Sequence, residues 1–375
     1  MMRLFLLALT VAAASALAPF YIPDKDRVQG RYIVVLEDGV DVDSFISRFE
    51  REVSVEIEIK RKYSKVLNGF GVQADVGGVA LNLLRSLPGV DFVEEDRVIF
   101  AQGRNRNPGS WGIDRIDQRG VNLDGDMTLS GYGAGQHIYV IDSGINPYHN
   151  DFGDRAYVAA DMLNEDGIDC DGHGTHCAGT AASESYGVAN EAYVAGIRIL
   201  NCRGSGSTLD SIAALDWIVE YGYRPSVASM SIGGSKSNSE NRAVARAREA
   251  GVVVVVAAGN EDKDACRTSP ASAPEAITVG ATDYTDTRAY YSNYGDCVDL
   301  FAPGSYITSL DYSDNYDTTA MSGTSMACPH VSGIAAVMLG MGYSAEQVYA
   351  KIVYDATPDC VSDCMGTANK LAYCG

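Results

Sequence analysis

Apolar and polar positions along the chain fall into two stretches with different rhythms. From Pro19 to Gln102 the order is strand, helix, strand, strand, helix, strand, carried by RYIVVLE, DVDSFISRF, VSVEIEI, GFGVQA, GVALNLLRSL and VDFVEEDRVIF. This order predicts a small α+β unit of the split βαβ, ferredoxin-like kind. Further on, β-branched runs alternate with helical stretches: HIYVID with HCAGTAAS, VAGIRIL with SIAALDWIVEYG, SVASMSI with NRAVARAREAG, and then VVVVVAA. Such alternation predicts an α/β domain, a mostly parallel sheet with helices on both faces. Ligands of these sheets sit beyond the carboxyl ends of the strands. Between the stretches, AQGRNRNPGS (Ala101 to Ser110) is polar and lacks apolar periodicity, which marks a linker and a candidate cleavage region.

The first residues, MMRLFLLALTVAAASALA, place a basic Arg3 before an apolar run and end in an A-x-A pattern at Ala16 and Ala18. They are expected to be a signal peptide, because the run is shorter than the ~20 apolar residues that span a bilayer. The expected divisions are thus 1–18 signal peptide, 19–103 small α+β domain and 104–375 α/β domain. Secretion changes the meaning of the nine cysteines, since an oxidising compartment lets disulfides persist, and an odd count leaves at least one thiol unpaired within the chain. The formal net charge of −20 excludes a polyanion as partner, so no nucleic acid is expected, and no basic amphipathic stretch suggests a membrane. From Arg104 onward there are 34 acidic and 17 basic residues, so most of the charge lies on the second stretch. No N-x-[ST] acceptor for N-glycosylation occurs.

Chemistry concentrates in the second stretch. YVIDSG puts Asp142 at the end of an apolar strand, where a carboxylate can be buried and still face a cleft. DGHGTHCAGT puts His173 between two glycines at a helix start, where close backbone approach is possible. A metal reading would join Cys170, His173 and His176, but this run lacks the spaced Cys and His pairs of structural zinc sites. SGTSMACPHVSGIAAVMLG sets Ser325 before a helix of small residues, in the positive field of its N-terminus, with Pro329 expected within the first turn. VVVVVAAGN ends in Asn260, an amide able to donate to an oxyanion. Each alone has a plainer use, as a turn residue or helix cap, and only the set points to an activated nucleophile with its base, orienting group and oxyanion donor.

Together these runs resemble the subtilisin-like serine peptidases, most closely the branch containing proteinase K and aqualysin. The similarity runs from Trp111 nearly to the end, and the order Asp, His, Ser is that of subtilisin. The resemblance implies a secreted serine endopeptidase with the triad Asp142, His173 and Ser325, and an oxyanion hole of Asn260 with the Ser325 amide. It further implies that protein and peptide substrates lie as an added strand between Gly204, Ser205, Gly206 and the run Ser231, Ile232, Gly233, Gly234. The primary pocket would be walled by Ala257, Ala258, Gly259, Asn260 and Ile232, with broad, apolar or aromatic preference. The segment before Gln102 resembles the family's propeptide, a chaperone and inhibitor removed by self-cleavage between Ala101 and Asn107.

Calcium is the implied cofactor, in a structural role, held by Asp299 and the carbonyls of Pro274 and Ala276. The resemblance also gives the disulfides Cys170–Cys202 and Cys266–Cys297, with a tail bridge between Cys360 and Cys364. Cys177 matches a buried free cysteine of proteinase K. Cys328 departs from the usual Thr or Ser, and either stays free or approaches Cys177. Cys374 has no clear partner. A monomer is expected. The competing reading is a catalytically silent homologue that binds peptides. An esterase or lipase would need the G-x-S-x-G elbow, which Ala327 breaks.

Overall fold

A computed structural model of the chain describes residues 17–22, 27–52, 57–63, 68–74, 79–97 and 109–375. The signal segment up to residue 16 and the cleavage region at 101–108 lie outside the described residues. The chain divides into two compact units, Met1–Phe100 and Ala101–Gly375.

The first unit contains strands β1 (Phe20–Tyr21), β2 (Arg27–Leu36), β3 (Ile57–Tyr63), β4 (Gly69–Ala74) and β5 (Val90–Arg97), with helices α1 (Val42–Glu52) and α2 (Val79–Ser86). Its sheet has the order β1-β5-β2-β4-β3. Every pairing is antiparallel except that of the short added edge strand β1. Val34, Phe70, Val72 and Val93 on the sheet meet Phe45, Ile46 and Phe49 of α1 and Leu84 of α2 in one core. This is the ferredoxin-like order expected from the pattern.

The second unit opens with α3 (Trp111–Ile116), β6 (His137–Asp142), β7 (Ala156–Asp161), α4 (His173–Ala182), β8 (Tyr193–Arg198), α5 (Thr208–Tyr221) and β9 (Ser226–Met230). It continues through β10 (Gly234–Ser235), α6 (Asn238–Glu249), β11 (Val252–Ala257), β12 (Thr268–Ser269), β13 (Ile277–Thr282) and β14 (Leu300–Pro303). Last come β15 (Ile307–Leu310), β16 (Thr318–Met321), α7 (Thr324–Gly340), α8 (Ala345–Asp355), β17 (Thr357–Pro358) and β18 (Lys370–Leu371). The main sheet has the order β17-β18-β14-β13-β11-β9-β6-β8-β7, parallel apart from β17.

Alternation along the central strands sends side chains to two cores. Ile138 and Val140 of β6, with Val253 and Val255 of β11, join α4, α7 and α8 on one face. Tyr139 and Ile141, with Val252 and Val254, join α5 and α6 on the other. Strands buried on both faces read as continuous apolar runs, as VVVVVAA does. The chain leaves β6 for β7, returns to β8 beside β6, and then crosses to β9 on the opposite side. The strand order therefore reverses at β6, and the crevice at its carboxyl end is where such sheets bind ligands. Among the described residues no helix is long and apolar enough to cross a membrane.

Candidate active site

Asp142 is the last residue of β6 and is fully buried. Its main-chain carbonyl accepts from the amides of Ile199 and Leu200, at 2.8 and 3.1 Å, which pins the strand end to the exit of β8. Oδ1 accepts from the Ser143 amide at 2.7 Å and meets His173 Nδ1 at 2.7 Å. Oδ2 is buried without a partner among the described residues.

His173 opens α4, the helix that follows the tight turn at Gly172. That glycine sits at φ +103°, and a β-carbon on it would stand 2.6 Å from the Tyr312 ring. Gly174 is equally constrained, since a β-carbon there would be 2.0 Å from the Gly144 carbonyl. Gly174 thus lets the helix start press against the loop after β6, and Gly172 lets it pass the Tyr312 ring, which together bring imidazole to carboxylate. Burial disfavours the charged imidazole, but the charge and hydrogen bond of Asp142, together with the Cys177 sulfur, outweigh it and lift the His173 pKa well above its usual value.

Ser325 is the second residue of α7. Its Oγ donates to the Ser231 carbonyl at 3.2 Å and makes no hydrogen bond to His173; such bonds are often long before substrate arrives. Cys177 links the two helix starts, its Sγ lying 3.4 Å from the Ser325 carbonyl and 4.0 Å from His173 Nδ1.

Pro329 differs from its expected place. It is the sixth residue of α7, beyond the first turn, so its missing N–H leaves the Ser325 carbonyl without an intrahelical donor. Ser231 Oγ, at 2.8 Å, and the Cys177 thiol donate there instead. Neither compensation has a local signature, and sequence reasoning missed the Ser231 hydroxyl.

Asn260 lies three residues past β11. Its Oδ1 accepts from the amide and hydroxyl of Thr324, at 2.8 and 3.0 Å, so the amide group is oriented with Nδ2 left over. A β-carbon on Gly323 would stand 3.5 Å from both Asn260 Nδ2 and the Ser325 amide nitrogen. Two donors therefore flank one open space. Beside it runs a cleft of about 470 Å³, lined by His173, by Gly204, Ser205 and Gly206, and by Ser231, Ile232, Gly233 and Gly234. Ala257 and Ala258 are buried and Gly259 half-buried, and none of the three lines this cleft.

The subtilase family profile matches residues 133–368. An alkaline serine exoprotease A of Vibrio alginolyticus is 42% identical over 369 residues, covering 94% of this chain and 68% of that protein. An extracellular serine proteinase of a Thermus species is 41% identical over 376 residues, covering 94% and 91%. The crystal structure of a cold adapted subtilisin-like serine proteinase shares 45% identity at a TM-score of 0.69, covering 72% of this chain and 99% of that one. The chain belongs to the subtilase family. As a subtilase it is a serine endopeptidase of the subtilisin type, with the subtilisin-like α/β fold.

The cysteines of this subtilase follow the expected plan except at the tail. Disulfides join Cys170 to Cys202 and Cys266 to Cys297. The bridge expected between Cys360 and Cys364 is not formed: both thiols are free, each turned to the carbonyl three residues before it, Thr357 at 3.5 Å and Val361 at 3.0 Å. Cys177 and Cys328 are also free and buried, and Cys328 points instead to the Val255 carbonyl at 3.5 Å, its pKa pushed up by burial to about 12. Cys374 is buried and free. The zinc-like grouping fails, because Cys170 is spent in a disulfide and His176 Nε2 is bonded to the buried Ile307 carbonyl at 2.9 Å.

Of the residues expected to hold a hard cation, Asp299 offers a carboxylate oxygen that is free among the described residues. Asp299 Oδ2 accepts from the Thr278 amide at 2.8 Å, two residues from Ala276, while Oδ1 accepts nothing from described residues. Burial raises its pKa, and a cation would hold it charged. A second oxygen cluster went unread in the sequence: Asp114 and Asp117 each carry a buried Oδ1 with no partner among the described residues, and burial pushes Asp117 to about 6.

Proposed function

We propose that this subtilase is a secreted endopeptidase of broad specificity, in which Ser325 attacks the scissile carbonyl and His173 takes its proton. His173 then gives that proton to the leaving amine, and a water molecule, deprotonated in the same way, releases the acyl group from Ser325. Asp142 orients the imidazole and stabilises its charge. Asn260 Nδ2 and the Ser325 amide hold the oxyanion. The observation that carries this reading is the 2.7 Å bond from Asp142 to His173 Nδ1, which leaves Nε2 as the proton acceptor.

Substrate pairs as a strand between Gly204–Gly206 and Ser231–Gly234, and its primary side chain enters the pocket of Ala257, Ala258, Gly259, Asn260 and Ile232. The first unit serves as chaperone and inhibitor, removed by self-cleavage between Ala101 and Asn107. A large parallel sheet rich in non-local contacts folds slowly, which gives such a segment its use. Calcium is structural, held by Asp299 with the carbonyls of Pro274 and Ala276, and Asp114 with Asp117 is a second place for it. The matured enzyme is a monomer. Secretion is supported by the signal-like start and by a relative named extracellular.

The test is expression of the precursor beside Ser325→Ala, following chain mass and casein hydrolysis with and without phenylmethylsulfonyl fluoride. The wild type should shorten near Ala101 to Asn107 and digest casein until inhibited, while the variant stays full length and inert. Identical behaviour of the two in calcium would favour the silent peptide-binding homologue.

A further inference from the structure

The cleft that begins at His173 does not finish on an apolar floor. Where α5 and α6 meet beneath it, Ser211 and Glu240 line it. Glu240 is 4% exposed, and its Oε1 accepts from Ser211 Oγ at 2.6 Å. Its Oε2 accepts no hydrogen bond from a described residue, and no lysine or arginine influences the carboxylate, whose pKa is raised by burial against the Ser211 bond. Asp171 adds a second carboxylate to the lining, and His173 is its one basic group.

A polar strut between two helices has no need of a charge, and a carboxylate largely withdrawn from water with no cation beside it is unfavourable. A cation entering the cleft would meet it. Leu200 and Ile232 line the approach and would pack against an aliphatic stem.

We propose that Glu240 is a specificity-determining residue, the floor of a subsite that takes a lysine or arginine side chain of the substrate. This rests on the site reading above: Ile232 walls the primary pocket, so the strip leading past it to Glu240 follows the part of the substrate before the scissile bond. The enzyme is then broad at the primary position and selective for a basic residue further upstream.

Peptides that differ only at one of the four positions before the cleaved bond, each carrying Lys, Arg, Gln, Leu or Glu there, test the assignment. At one position Lys or Arg should exceed Gln in kcat/KM by about tenfold or more, chiefly through KM, with Glu the poorest. Glu240→Gln keeps an acceptor for Ser211 and should bring Lys down to the level of Gln. Glu240→Leu should favour Leu. A flat wild-type ranking overturns the assignment even should a variant fail to fold, as does a basic preference that survives Glu240→Gln. Affinities of the same peptides for Ser325→Ala, read by fluorescence anisotropy, separate the two readings. A Lys preference in that inert protein bears on Glu240 alone, whereas failure of the wild type to cut any peptide bears on the triad.

Discussion

One oxygen of Asp142 is committed twice and the other to nothing, so the carboxylate's value to His173 lies in a single short bond and in its charge. Asp142→Asn keeps the shape and removes the charge; kcat should fall by ~10⁴, measured on a peptide anilide. The pH profile gives the sign independently. His173 must be neutral to accept a proton, and its pKa is raised, so kcat/KM should fall as pH drops through a value above ~6.5. In Asp142→Asn that limb should move to lower pH, since its cause is gone. Asn260→Ala should lower kcat by ~10²–10³ with KM little changed. The residue types at these positions were legible because hydrolysis demands them together. Their orientation was not: Asn260 is aimed by Thr324, sixty-four positions away, and the Ser325 carbonyl is met by Ser231, and neither contact leaves a mark on local pattern.

Helices α4 and α7 are built from small residues because they approach each other closely, not because they are weak. A β-carbon on Gly333 would lie 2.5 Å from Val188 Cβ and 2.9 Å from the Ala181 carbonyl. Gly333→Ala should therefore lower stability by ~1–3 kcal/mol through overpacking, read from thermal unfolding in the Ser325→Ala background, where self-digestion is absent. Such a helix is apolar all round, as a buried helix must be. That is why α7 was placed correctly by its nucleophile motif while its start, and with it the turn holding Pro329, was not. The strand-helix order was easier, since each strand here is a short β-branched run between turn residues. The tail was hardest: a run as short as Cys360 to Cys364 has no periodicity to fix where its thiols turn.

The second unit holds a buried ion pair, Arg115 to Asp286, with two 2.8 Å bonds and both side chains nearly inaccessible. Removing one partner strands the other, so Arg115→Ala should cost about 3–5 kcal/mol, again measured on the inactive protein. Chelation by EDTA should lower the midpoint of unfolding and calcium restore it, if Asp299 and the Asp114–Asp117 pair hold cations as their unmet oxygens suggest. The architecture was readable because alternation alone dictates layers; what lay beyond it was the position of β6 at the reversal of strand order, which depends on how distant strands pair.

The Cys170–Cys202 disulfide joins two things that have not so far been set side by side. Cys170 stands three residues before His173, and Cys202 two before Gly204. The bond is thus a clasp at the cleft, fastening the loop before His173 to Gly204–Gly206, the edge proposed to receive the peptide. Its rupture would be felt as misalignment before it is felt as unfolding, so a mild thiol reductant should slow peptide hydrolysis at temperatures where the melt of the same sample has not begun.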